Sequence, residues 1–171
     1  IFSPLWIVFS ILWLQQLFKL IGWENGVQYV CLAVQSSMAA KIEGYTIHHW
    51  SGIPTGQKEG QASTRDSTAL SIRCQCLRFA LLDEISMVGA KLLAEVDMKL
   101  RSIMSDVETM KKGLRGQVRA FGGINVVFVG DFWQLDPTGD VSFMSNPMKD
   151  HGNPYVDFTM AMFWSHGEHR R

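Results

Sequence analysis

Charge is what this sequence lacks at its front: none of the first 18 residues is charged, and Lys19 is the first that is. The apolar run is nevertheless broken by Pro4, Gln15, Gln16 and Lys19, short of the roughly 20 residues that a membrane span requires. No basic stretch precedes it of the kind that opens a secretory signal. Its length favours a core helix over a membrane anchor, which would require residues 1–21 to be a genuine span; Leu14, Leu17, Phe18 and Ile21 stand at helical spacing, and Gly22 and Asn25-Gly26 end it. Cysteine is also scarce. Cys31, Cys74 and Cys76 are too few, and odd in number, for a disulfide framework, and they fit a reducing compartment. Cys74-x-Cys76 has no second Cys or His pair at zinc spacing. Net charge is absent, with 16 basic against 16 acidic residues, so bulk charge gives no pointer to nucleic acid, although a local patch needs no net excess. The chain opens on Ile1 rather than Met, as a fragment or an uncertain gene model does. Internal repeats and low-complexity tracts are missing too.

What is present is enough for one domain. The 171 residues are 47% hydrophobic and 19% charged, ordinary for a globular chain. Val27 to Val34 reads as a buried strand. Gln35-Ser36-Ser37 follows, with serine hydroxyls suited to capping a helix over Met38 to Glu43, which Gly44 stops. Tyr45 to Trp50 is short and amphipathic. Its adjacent histidines, His48 and His49, diverge in a helix and in a strand alike, so packing or hydrogen bonding is expected of them rather than a shared metal. Ser51 to Ser67 reads as a surface loop and Thr68 to Leu77 as a short helix. Gly89 to Met104 is the firmest helix, with Leu92, Val96, Leu100 and Ile103 on one stripe. Between Ser105 and Gly123 lie Lys111, Lys112, Arg115 and Arg119. This basic, glycine-containing stretch suits a phosphate backbone and equally a solvated loop. Beyond Asp140 the chain is loop-like, with a further helix starting near Phe158.

Two segments carry chemistry. Phe79-Ala80-Leu81-Leu82 runs straight into Asp83-Glu84, and Ile124-Asn125-Val126-Val127-Phe128-Val129-Gly130 runs into Asp131. Both look like buried strands delivering acids to the carboxyl edge of a parallel sheet, where open α/β sheets bind ligands. A nucleoside triphosphatase needs one carboxylate for its magnesium shell and another for the attacking water, and adjacent acids at a strand end can divide those tasks. Alone, Asp83-Glu84 is weak evidence. The second strand, with Phe132-Trp133-Gln134-Leu135-Asp136-Pro137 after it, strengthens the reading, since a glutamine there can sense a γ-phosphate.

Asp83-Glu84-Ile85-Ser86-Met87, Phe121-Gly122-Gly123 and Gly130-Asp131-Phe132-Trp133-Gln134-Leu135 together resemble the Pif-type DNA helicases, RecD-related members of superfamily 1. Leu32-Ala33-Val34-Gln35-Ser36-Ser37-Met38-Ala39-Ala40 resembles that family's motif Ia. Gly44-Tyr45-Thr46-Ile47-His48 resembles its Gly-x-Thr-x-His element. The five elements stand in the family's order over about Val30 to Pro137. The resemblance implies an α/β RecA-like P-loop NTPase fold of three layers about a mostly parallel sheet, ATP and Mg²⁺ as cofactors, and 5′-to-3′ unwinding of DNA. It implies Asp83 as the magnesium-associated carboxylate, Glu84 as the base that activates water and Gln134 as the γ-phosphate sensor, with Asp131 beside the nucleotide. Ser36 and Ser37 of motif Ia, and His48, would lie on the path of the DNA strand. Nuclear or mitochondrial work in DNA repair, recombination and telomere maintenance follows from the family alone, with a single strand and a duplex junction as partners and no stable membrane association.

The departures bound that reading. The family's Gly-x-x-x-x-Gly-Lys-Ser/Thr phosphate loop is expected a little before Leu14, and no Gly precedes Gly22 and no Lys precedes Lys19. A second motor domain, with its arginine finger, is not in the sequence either. Asp136 stands where the family usually has Pro. The expected division is therefore residues 1–13 as an apolar segment of doubtful origin and 14–171 as a partial first motor domain carrying motifs Ia, II and III. Such a piece is expected to be inactive alone. The alternative is a non-catalytic RecA-like relic that binds DNA or a partner.

Overall fold

The computed structural model describes residues 5–54, 64–104, 116–131 and 135–164. Its centre is a four-stranded sheet built from β1 (Tyr29–Ala33), β2 (Tyr45–Thr46), β3 (Phe79–Leu82) and β4 (Asn125–Phe128), in the order β2-β1-β3-β4 with every pair parallel. The expected strands over Val27 to Val34 and Ile124 to Gly130 are both present, each trimmed at its ends. Tyr29 stands opposite Phe79 and Phe79 opposite Asn125, so the three longer strands run level to Leu32, Leu82 and Phe128.

Side-chain alternation sorts the strands between two apolar layers. Tyr29, Cys31, Ala33 and Leu81 face one side, where they meet Ile11 and Phe18 of α1 (Leu5–Leu20) and Ala39 of α2 (Ser36–Lys41). Val30, Leu32, Ala80 and Leu82 face the other. There they meet α3 (Ile47–Ser51), α4 (Thr64–Cys74) and α5 (Ala90–Met104), with α6 (Pro154–Trp164) beyond. This is the expected three-layer α/β arrangement. Coverage on both faces is why the strands read as unbroken apolar runs instead of alternating ones. Each fully buried residue such as Leu32 or Leu81 contributes about 1.5–3 kcal/mol.

The front helix lies differently from its spacing. Leu17 and Ile21, expected in the core, are 41% and 57% exposed, while Ile11 and Phe18 are buried. Gln15 is buried with them because its amide reaches partners: Nε2 donates to Ile42 O at 2.7 Å and lies 3.0 Å from Cys31 Sγ. In an almost wholly apolar helix, the position of those polar partners helps choose the face. No helix among the described residues is long and apolar enough to cross a membrane.

Three other expectations need correction. The helix after β1 starts at Ser36, not Met38. Its N-cap is Gln35, which makes no side-chain cap bond, so Ser36 and Ser37 sit within the first turn and do not cap it. Tyr45 to Trp50 divides into β2 and α3, because Thr46 is extended and its Oγ1 accepts from His49 N at 3.3 Å, starting a new helix. The helix predicted over Thr68 to Leu77 spans Thr64 to Cys74. Gly44 is needed where the chain turns into β2, since a Cβ there would stand 2.2 Å from Cys31 O.

The helix expected over Gly89 to Met104 is α5, and its N-terminus is held from far along the chain. Asp140 accepts from Lys91 N and Leu92 N at 3.4 and 3.3 Å, and Val141 O accepts from Ala90 N at 2.8 Å. Its buried stripe is Leu93, Val96, Leu100 and Met104, with Leu92 and Ile103 half-buried at its margin. The final helix begins at Pro154, earlier than Phe158, and Thr159 Oγ1 ties it to Ala90 O at 2.7 Å. Lys111, Lys112 and Arg115 lie outside the described residues, and Arg119 is exposed.

Candidate functional site

Because all four strands are parallel, their carboxyl ends share one edge. Gln35-Ser36-Ser37 follows β1, Ile47-His48-His49 follows β2, Asp83-Glu84 follows β3 and Gly130-Asp131 follows β4. The topology thus brings the predicted residues to one rim. Gln134 lies outside the described residues.

Asp83 is the innermost of them and is fully buried. Its backbone N–H donates to Leu32 O at 2.8 Å, and its Oδ1 accepts from Glu84 N at 2.9 Å. Its Oδ2 is buried without a partner. Burial raises the Asp83 pKa above the ordinary carboxylate value, and the bond from Glu84 N–H only partly opposes this. A buried carboxylate oxygen left open is costly unless something outside the protein satisfies it.

Glu84 turns the chain sharply. It has φ 51° and ψ 48°, left-handed values that non-glycine residues seldom adopt. It is half-buried. Burial raises its pKa first, the Asp83 charge adds to that, and Lys41 at the end of α2 opposes it. A group so placed accepts a proton more readily than a solvated glutamate, which suits a general base.

The turn after Glu84 is fastened to the neighbouring strand. Ile85 N donates to Val129 O at 3.1 Å. Gly130 passes so close that a Cβ would stand 2.8 Å from Ile85 N and 3.0 Å from Ile85 Cγ2. Asp131 follows directly and is half-buried. On the other flank, Gln35 Nε2 lies 4.0 Å from Met87 Sδ, joining the end of β1 to the segment after the acids.

Ser36 and Ser37 are exposed in the first turn of α2. His48 is half-buried, and burial lowers its pKa. It lines a cavity of about 370 Å³ with His49, Trp50, Ile53 and Arg73, between α3 and α4. No interaction joins His48 to Asp83 or Glu84 among the described residues. The histidines and the carboxylates therefore form two separate parts of one rim.

Among the described residues no three His, Cys, Asp or Glu side chains gather as a metal cluster. The open Oδ2 of Asp83 nevertheless fits Mg²⁺, which usually takes one or two protein carboxylates and completes its shell with waters and nucleotide phosphates. Sequence reasoning missed Lys41 and Gly130. Lys41 acts across space from another element and leaves no local signal. Gly130, a glycine between an apolar strand and an acid, was visible as a point of close backbone approach.

A family model described as PIF1-like helicase matches residues 9–146. The chain is 37% identical over 128 residues to the ATP-dependent DNA helicase Pif1 of Psychrobacter sp., covering 67% of this chain and 17% of that protein. A crystal structure of Bacteroides Pif1 bound to ssDNA is similar with a TM-score of 0.56 and 26% identity, over 78% of this chain and 28% of the other. A Bacteroides sp Pif1 in complex with ADP-AlF4 is similar with a TM-score of 0.54 and 26% identity, with the same coverage. The chain thus spans about a sixth of the length of the curated relative it matches.

Proposed function

The chain belongs to the PIF1-like helicase family, and from that premise we propose that it forms part of the first motor domain of an ATP-dependent helicase that unwinds DNA 5′ to 3′. The observation that carries this reading is the buried, unpartnered Oδ2 of Asp83 at the carboxyl edge of a parallel sheet, beside Glu84 in a left-handed turn. That is the metal-and-water half of a phosphate-transfer site.

Asp83 would hold Mg²⁺ through water, and the ion's chemistry there is neutralisation of charge on the nucleotide phosphates. Glu84 takes the proton of the attacking water, its raised affinity for protons supplied by burial and by Asp83. Asp131 stands on the nucleotide side. Gln134 reads the γ-phosphate and relays its presence along the chain. Ser36 and Ser37, exposed at the head of α2, and His48 contact the backbone of single-stranded DNA without reading its sequence. The setting is DNA repair, recombination and telomere maintenance, in nucleus or mitochondrion, at a junction of single and double strand. Residues 1–13 are of an origin separate from the motor domain over 14–171, although α1 runs on across that boundary and Ile11 packs against the sheet.

No Gly-x-x-x-x-Gly-Lys-Ser/Thr occurs in the 171 residues. That absence favours a second reading, a RecA-like module that binds DNA or a partner without hydrolysing ATP. It also sets the test. The chain, given ATP, Mg²⁺ and single-stranded DNA, is expected to bind the DNA and show no DNA-stimulated hydrolysis. Joined to a segment that supplies the phosphate loop and to a second motor domain, it is expected to turn over ATP and to lose that turnover on Glu84→Gln. Failure of the joined protein to hydrolyse ATP leaves the non-catalytic reading in place. Hydrolysis that survives Glu84→Gln removes Glu84 from the base role.

A further inference from the structure

We propose that the Tyr45–His49 ring pair, with the cavity that His49 also lines, holds one unpaired base of a DNA single strand. This rests on the reading that single-stranded DNA crosses this rim, and it adds a contact to the base rather than to the phosphate. The rings of Tyr45 and His49 lie with centroids 6.2 Å apart and planes 24° from parallel. Both are exposed, and Tyr45 keeps 44% of its surface in water. A large aromatic ring left open beside a second, nearly parallel ring offers an extended π-surface, which suits stacking by any of the four bases.

His49 links this surface to the cavity. The cavity, of about 370 Å³, falls within the range of small-ligand sites. Arg73 lines it as well, and its guanidinium is tied in place by donating to Trp50 O at 3.2 Å. A cation and an aromatic wall on one hollow suit a nucleotide, whose phosphate and base need one each. The platform is also pre-organised. Thr46 Oγ1 accepts from His49 N at 3.3 Å, so a single turn carries both rings and little ordering is left for binding. In the Gly-x-Thr-x-His element Tyr45 fills a variable position and His49 follows the motif histidine. The pair is therefore a property of this chain and not of the motif.

The full chain should be titrated into a fluorescein-labelled oligothymidylate, and into a strand of equal length whose sugars carry no bases, with anisotropy as the readout. A stacking platform predicts roughly five- to tenfold weaker binding to the abasic strand. Tyr45→Ala and His49→Ala should weaken binding to oligothymidylate by a similar factor, leave the abasic strand unaffected, and recover on Tyr45→Phe. Because a variant can misfold, 2-aminopurine placed in the strand gives a second reading on the unaltered chain, where stacking quenches its fluorescence. Equal affinity for the two strands, with no quenching, overturns the platform and leaves the DNA-binding reading standing. No binding to either strand overturns both.

Discussion

The backbone N–H of Phe121 donates to Asp97 Oδ1 at 2.6 Å, and Arg101 Nε donates to Asp97 Oδ2 at the same distance. Asp97 is fully buried on α5, while Phe121 has φ 51° and opens the Phe121-Gly122-Gly123 turn that feeds β4. The carboxylate thus pins a left-handed turn at the start of the strand that delivers Gly130 and Asp131. Gly122 completes the fit, since a Cβ there would stand 2.7 Å from Leu100 O. Asp97→Ala strands both a buried N–H and the Arg101 cation, which is partly exposed and so partly rehydrated. The expected loss is about 2–3 kcal/mol of stability, with Asp97→Asn losing less because an acceptor remains for Phe121. Urea unfolding of the three proteins measures it, and equal midpoints would contradict the clamp.

Asp83 is held at a cost that depends on pH. Its folded pKa is raised by burial, so the folded state favours the protonated form. The associated stability is fully present below the ordinary aspartate value and is lost as pH rises through the raised one. Asp83→Asn removes the ionisation. The variant is therefore expected to melt higher than the parent at neutral pH, with the gap closing as pH falls through the carboxylate range. Thermal melts across that range test this. A variant that melts lower at neutral pH would mean that Oδ2 already has a partner. Mg²⁺ and nucleotide at saturation should stabilise the parent and not the variant.

The strands that deliver the acids were legible because strands covered on both faces, β3 almost fully and the edge strand β4 only partly, leave apolar runs, and Asp83-Glu84 and Asp131 stand out at the ends of those runs. The helix α5 was legible from its 3.6-residue spacing. The face of α1 was not. Nearly every residue there is apolar, so spacing cannot choose a side, and part of the choice lies with Gln15 bonding to Ile42, 27 positions away. The cap of α5 was hidden for a related reason, because Asp140 lies 48 to 49 positions from the amides it accepts. Ser36 and Ser37 misled because serine suits the first turn of a helix as well as its cap, and only the extended backbone of Gln35 decides which position they hold. Lys41 acts on Glu84 across space, which no local pattern encodes. Apart from the Ser36-Ser37 turn, these features link elements far apart in sequence, whereas the legible ones lie within a single element.

Gly130 carries the last prediction, because it couples the acids after β3 to the acid after β4. A methyl group at this position would stand 2.8 Å from Ile85 N, which is backbone and cannot rotate away. The same Ile85 N–H donates to Val129 O at 3.1 Å. Gly130→Ala must therefore push the Ile85 turn off β4, which displaces Glu84 from its left-handed geometry, or shift the end of β4 outward, which carries Asp131 away from it. Overpacking of this kind costs about 1–3 kcal/mol. Thermal unfolding should show that loss, and hydrogen exchange should place it: the Ile85 amide loses protection while β1, buried between its two neighbouring strands, keeps its own. If protection falls equally across the sheet, the substitution acts on global stability and the link between the two acidic turns is not specific. If Ile85 alone opens, Gly130 is the joint through which a change at Asp131 reaches Glu84.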